Sequence, residues 1–165
     1  MKTLLALRHG KAEVAAAGGD KARELTARGR IDAQIMGRKV AGLVAPLDGI
    51  VTSDATRALQ TAEIAATYSG FAGRILVEPR LYLASLETLL DIVRNQADGA
   101  NNLLLIGHNP GLEQLCAELL TYRTIPPRLD TACLAYLSLD IPQWSELRTG
   151  KASLLGTYSP LETET

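Results

Sequence analysis

Two apolar runs limit most of what this chain can fold into. Thr3-Leu4-Leu5-Ala6-Leu7 and Asn102-Leu103-Leu104-Leu105-Ile106 are almost unbroken by polar side chains. A half-exposed strand would alternate and an amphipathic helix would leave gaps at three and four residues. A short continuous run instead suits a strand covered on both faces. Residues 49–52, 74–78 and 132–139 are further strand candidates. Between them lie helical spacings: Ala33, Met36, Val40 and Leu43; Leu86, Leu89, Leu90 and Val93; Leu112, Leu115 and Leu119. Strands that alternate with helices predict a three-layer α/β/α sandwich with a mainly parallel central sheet. Residues 144–158 are less regular and predict one or two short strands at the sheet edge. A chain of 165 residues favours one domain, here 1–160, followed by a flexible tail over 161–165.

In open α/β sheets, ligands bind beyond the carboxyl ends of the strands. Both apolar runs end in chemistry there. The first leads into Arg8-His9-Gly10 and the second into Gly107-His108. A third strand, Ile50-Val51-Thr52, leads into Ser53, with Arg57 one turn into the helix that follows. A guanidinium can hold a phosphate or carboxylate by two parallel hydrogen bonds. A neutral imidazole can attack phosphorus and form a phosphoramidate that water then hydrolyses. Gly10 allows a sharp turn or close backbone approach. His9 is therefore the candidate nucleophile, Arg8 and Arg57 the clamp, and His108 a second phosphate-binding group that would neutralise charge when cationic. The alternatives are a structural histidine and a surface arginine. A metal site is disfavoured, because the two histidines have no cysteine or second histidine at short spacing.

The charges nearly cancel, 17 basic against 18 acidic, so no polybasic footprint marks nucleic acid or an anionic membrane as partner. No apolar stretch approaches the roughly 18 residues needed to span a bilayer. The start of the chain is too short for a signal peptide before the Arg8-His9 pair. Cys116 and Cys133 lie in apolar patterns without metal-like spacing and read as buried thiols in a reducing compartment. A cytoplasmic location is the expectation.

Three blocks of this sequence resemble the histidine phosphatase superfamily, which includes cofactor-dependent phosphoglycerate mutases and acid phosphatases. They are Leu7-Arg8-His9-Gly10, the Ser-x-x-x-Arg-Ala-x-Gln-Thr block from Ser53 to Thr61, and Gly107-His108-Asn109-Pro110-Gly111-Leu112. With Arg23-Glu24-Leu25-Thr26 and the small size, the resemblance points to the branch of SixA-like phosphohistidine phosphatases. It runs from the first strand to about Leu120. It implies a phosphoglycerate mutase-like fold, catalytic roles for Arg8, His9, Arg57 and His108, and no cofactor. Gly10, Arg23, Ser53 and Asn109 are candidate substrate contacts. Ser53 can donate a hydrogen bond or cap the helix of Arg57, with capping favoured, and Asp54 can cap it too. Asn109 suits a helix cap with Pro110 in the first turn. Arg23 either contacts phosphate or pairs with Asp20, and Lys11 either adds positive potential or faces solvent. Thr26 is a cap for the helix that begins near Ala27.

The chain departs from the larger family at the proton donor. Leu81-Tyr82-Leu83-Ala84 stands where a mutase-like pattern would place a glutamate, and His108 precedes Asn109 rather than an aspartate. Glu13, Asp20, Glu24 and Glu87 are the remaining candidate acids. A phosphoramidate nitrogen protonates more easily than an ester oxygen, so a site without a strong acid favours P–N substrates. No insertion forms a large lid, and the longest loop, 11–24, is rich in small residues and expected to be mobile. A phosphorylated protein, such as a histidine phosphotransfer domain, is then the expected partner. The rival substrate is a small phosphomonoester such as a sugar phosphate. The rival from another class is a catalytically weak phosphoprotein-binding module.

Overall fold

The computed structural model describes residues 1–163. Six strands form one sheet in the order β3-β2-β4-β1-β5-β6. These are β1 (Lys2–Arg8), β2 (Gly49–Thr52), β3 (Ile75–Val77), β4 (Asn102–Gly107), β5 (Leu134–Leu139) and β6 (Ala152–Tyr158). The first four in space are parallel, and β5 and β6 extend the sheet antiparallel. The expected α/β architecture with a mainly parallel sheet is present.

Helices cover both faces: α1 (Ala27–Leu43) and α2 (Thr56–Ser69) on one, α3 (Leu86–Arg94) and α4 (Gly111–Leu119) on the other. Leu5 and Leu7 of β1 pack toward α1 and α2, while Leu4 and Ala6 pack toward α3 and α4. This is why the run is unbroken: alternate residues feed two separate cores. The α2 core face is made of alanines, Ala58, Ala62 and Ala65. On α1, a Cβ at Gly37 would lie 2.8 Å from the Tyr68 Cβ and 3.0 Å from the Ala65 carbonyl oxygen. Small residues on both helices thus permit a close approach that brings the start of α2 over the sheet.

Two sequence expectations shift, and a third, an edge strand within residues 144–158, is met. The fifth strand begins at Leu134, because Ala132 sits in a turn with φ 60° and donates its N–H to the Arg8 and His9 carbonyls. The irregular stretch after Trp144 yields a single seven-residue edge strand, β6, and Trp144 itself is fully buried. Leu161 and Thr163 fall in a short 3-10 turn over 160–163, while the tail residues Glu164 and Thr165 lie outside the described residues. No described helix is long and apolar enough to cross a membrane.

Candidate active site

Register alone assembles the site. Arg8 lies opposite Gly107 in the β1–β4 pair, and Thr52 lies opposite Ile106 in the β2–β4 pair. The three segments that follow, His9, Ser53 and His108, therefore leave the sheet at one level, where β4 returns between β1 and β2. The His9 N–H donates to the Gly107 carbonyl at 3.2 Å and the Ser53 N–H to the Ile106 carbonyl at 3.2 Å. A cleft of about 500 Å³ opens here, with Arg8, His9, Arg57 and His108 in its wall together with Asp20, Arg23, Tyr82 and Asn109.

The state of His9 can be read from its bonds. Its Nδ1 is 2.8 Å from the Gly10 carbonyl oxygen, which can only accept, so Nδ1 carries the proton. Nε2 then presents a lone pair, and Arg57 Nε donates to it at 3.3 Å. Burial pulls the His9 pKa down to about 4; the bond to Gly10 opposes this, and the charges of Arg57 and Arg8 add to it. His9 is neutral near pH 7, with the unprotonated nitrogen a nucleophile needs.

His108 is also neutral. Burial lowers its pKa to about 3, helped by His9 and Arg57. The cationic form, in which His108 would neutralise phosphate charge, is therefore not the state of the free protein: the residue is only 4% exposed and stands beside two guanidinium groups. Its Nε2 lies 2.8 Å from Ser53 Oγ, and its Nδ1 is buried without a protein partner. The two histidine rings stand 5.1 Å apart.

The Ser53 hydroxyl is not the helix cap. Ala55 occupies the N-cap position of α2 without a side-chain cap bond, and Asp54 pairs with Lys21 at 2.7 Å. Ser53 Oγ accepts the Ala55 N–H at 3.1 Å and faces His108, so it holds a histidine rather than a helix. Asn109 likewise does not cap α4, whose N-cap is Pro110. The Asn109 amide donates to the Leu129 carbonyl at 2.6 Å and to Glu113 at 3.0 Å, fixing the loop that also receives Arg8 Nη1 at 3.1 Å. Thr26 does cap α1, accepting from the Gly29 N–H at 3.0 Å.

Gly10 and Ser53 do not line the cleft, whereas Arg23, Asn109 and Lys11 do. A Cβ at Gly10 would sit 2.8 Å from the Gly29 carbonyl oxygen, so the glycine serves the packing of the loop on α1. The Gln-Thr pair of the second block is explained the same way. Thr61 accepts the Gly10 N–H at 3.0 Å and Gln60 accepts the Leu25 N–H at 2.7 Å. The 11–24 loop is accordingly anchored rather than loose: Ala12 bridges to Leu25 and the Glu13 N–H donates to Glu24 at 2.8 Å.

Tyr82 is the polar aromatic of the cleft wall, and sequence reasoning gave it no site role. It sets its edge against His108, and its hydroxyl donates to Asp20 Oδ2. Asp20 also receives Arg57 and Arg23. The Tyr82 hydroxyl bond, then Arg23 and Arg57, hold its pKa at about 2. The carboxylate in the cleft is therefore an anion, not a proton donor. Glu24 is bonded to Gln60 at 3.1 Å, and Glu13 and Glu87 do not line the cleft. Among the described residues, no group of three or more His, Cys, Asp or Glu side chains converges as a metal would require.

Comparison with known proteins agrees with this geometry. The family model of the histidine phosphatase superfamily (branch 1) matches residues 4–82. Among solved structures, the protein histidine phosphatase SixA complexed with tungstate is 24% identical over 98% of this chain and 99% of that one, with a TM-score of 0.83. A candidate phosphohistidine phosphatase SixA from Agrobacterium tumefaciens is 26% identical over 96% and 98%, at 0.76. A mycobacterial glucosyl-3-phosphoglycerate phosphatase shares the fold less closely, 19% identical over 93% and 97%, at 0.63.

Proposed function

We propose that this chain is a phosphatase that removes the phosphoryl group from phosphohistidine on a protein, by way of a phosphohistidine formed on its own His9; the match of residues 4–82 to the histidine phosphatase superfamily model supports this reading. The proposed setting is the cytoplasm. In the first step the His9 Nε2 lone pair attacks phosphorus, a P–N bond forms at His9, and the bond to the substrate nitrogen breaks. The leaving imidazole takes its proton from solvent. In the second step water attacks phosphorus, the P–Nε2 bond breaks with its electron pair returning to Nε2, and inorganic phosphate and neutral His9 result. Arg8, Arg57 and His108 face the charge that spreads over the non-bridging oxygens.

The observation that carries the choice of substrate is the ionised Asp20. In the free protein the carboxyl group that lines the cleft is held as an anion by Tyr82, Arg23 and Arg57, so it is not poised to protonate a leaving alkoxide. Phosphoramidates escape this need. A positioned acid is worth roughly 100- to 10,000-fold, and the preference for phosphohistidine or nitroaryl phosphates over alkyl phosphates should be of that order. Specificity constants along a leaving-group series, measured with chelator present, test the reading. A flat dependence with good alkyl phosphate turnover would move the assignment to a small-ester phosphatase.

A further inference from the structure

Arg57 already holds an anion. Its Nη1 donates to the Asp20 carbonyl at 2.9 Å and its Nη2 to Asp20 Oδ2 at 3.2 Å. Arg23 Nε donates to Asp20 Oδ1 at 2.9 Å, and the Tyr82 hydroxyl donates to Oδ2. Donors from the 11–24 loop, from α2 and from the segment before α3 thus converge on one carboxylate, inside the cleft that holds His9. A guanidinium offers a carboxylate the same N–H groups that it offers a phosphate.

We propose that Asp20 is a tethered competitor for the phosphoryl site: in the free protein its carboxylate occupies Arg57 Nη2, beside the Nη1 that its main-chain carbonyl holds, and it yields that donor when a phosphoryl group enters and returns to displace inorganic phosphate. This rests on the reading of the cleft as a phosphoryl-transfer site. The local chain suits such an exchange. Asp20 opens a three-residue 3-10 turn, and Gly19 before it stands at φ 89° with nothing within 4 Å of a Cβ position. The Asp20 side chain is 49% exposed, so it can turn to water at little cost in solvation. The need is chemical. Inorganic phosphate is the group that two arginines and a histidine grip best, and it is also the product. A fixed negative charge on the main clamp weakens the free product. A phosphorylated protein can offset the same displacement with contacts outside the cleft.

A merely structural Asp20 makes the opposite prediction. If the carboxylate serves to orient Arg57, its loss should weaken anion binding. The test is calorimetric titration of wild type and Asp20→Asn with inorganic phosphate and with orthovanadate. Asparagine keeps the size and one acceptor but removes the charge. Phosphate should bind the variant about tenfold tighter at low salt, since like charges at close quarters repel and half-exposure only partly screens them. Added salt should narrow the gap. Product inhibition in steady-state assays should strengthen by the same factor. Tyr82→Phe should shift phosphate affinity in the same direction by less, because it loosens the carboxylate without removing it. Unchanged or weaker phosphate binding in Asp20→Asn, with wild-type binding intact, overturns this proposal alone. If neither protein binds phosphate or vanadate, the phosphoryl-site reading falls with it.

Discussion

The strand β1 carries a cation at each end, Lys2 buried and Arg8 half-buried, and the two are treated in opposite ways. Lys2 is 2% exposed, and its Nζ donates to the Asp98 and Ala100 carbonyls at 2.5 and 3.3 Å and to Asn101 Oδ1 at 2.9 Å. Its ammonium also lies 5.8 Å from the Trp144 ring centroid. All three of its protons are used. Arg8 has five N–H groups, makes one hydrogen bond, to the Leu129 carbonyl, and leaves Nε buried without a protein partner. Burying an unsatisfied donor costs free energy, whereas a saturated one stabilises the fold. The saturated end is architecture. The under-used end, beside His108 whose Nδ1 is likewise unpartnered, keeps donors free in the cleft proposed to hold the phosphoryl group.

The contrast can be broken in three places, and the largest effect belongs to the carboxyl end. His9→Ala should lower turnover by about 10,000-fold or more, as expected when a covalent nucleophile is removed. Its folding should be unaffected, because a neutral, desolvated imidazole adds little to stability. Acid-labile labelling of the wild type by substrate should vanish in the variant. Turnover near the wild-type rate would end the covalent mechanism.

The clamp comes next. Arg8→Lys and Arg57→Lys should each slow kcat/KM by roughly 100-fold or more, since a point charge does not reproduce a planar fork. Near-normal rates in both would show that charge alone is needed. At the other end, Lys2→Met should leave kcat/KM within about twofold while costing about 1–3 kcal/mol, because it removes the bonds of the buried ammonium to the Asp98 and Ala100 carbonyls and to Asn101 Oδ1. Chemical denaturation of the variant checks this. A stable Lys2→Met with impaired turnover would erase the distinction between the two ends.

This division also marks what the sequence could tell. Arg8, His9, Arg57 and His108 were legible because each sits within a few residues of a strand end or helix start, and strand register then carries them together. The roles of Ser53 and Asn109 were misjudged because both residue types favour helix caps. The competing partners, His108 at 55 residues from Ser53 and Leu129 at 20 from Asn109, leave no local trace. Tyr82 was invisible for the same reason: its partner Asp20 lies 62 residues away, and the pair exists only because two loops meet over one cleft. Lys2 read as an ordinary N-terminal lysine, since nothing nearby announces that Trp144 will cover it.

The smallest expected effect is on stability, and it separates the two ends once more. His9 and His108 titrate at about 4 and about 3 when folded, both below the usual 6.5. The unfolded chain therefore binds protons that the folded chain refuses in the window from 6.5 downward. Stability should be fullest above that window and fall as pH drops through it, by under about 1 kcal/mol per histidine between pH 7 and pH 6. His9→Ala should remove its share of that slope. Lys2→Met, at the other end of the strand, should leave the slope untouched. Because the chain has only two histidines, NMR titration of their ring carbons can follow each directly. Rings that protonate near 6.5 in the folded protein would show that the cleft is wetter than its burial indicates. His108 would then be cationic near neutral pH, as its role in neutralising phosphate first suggested.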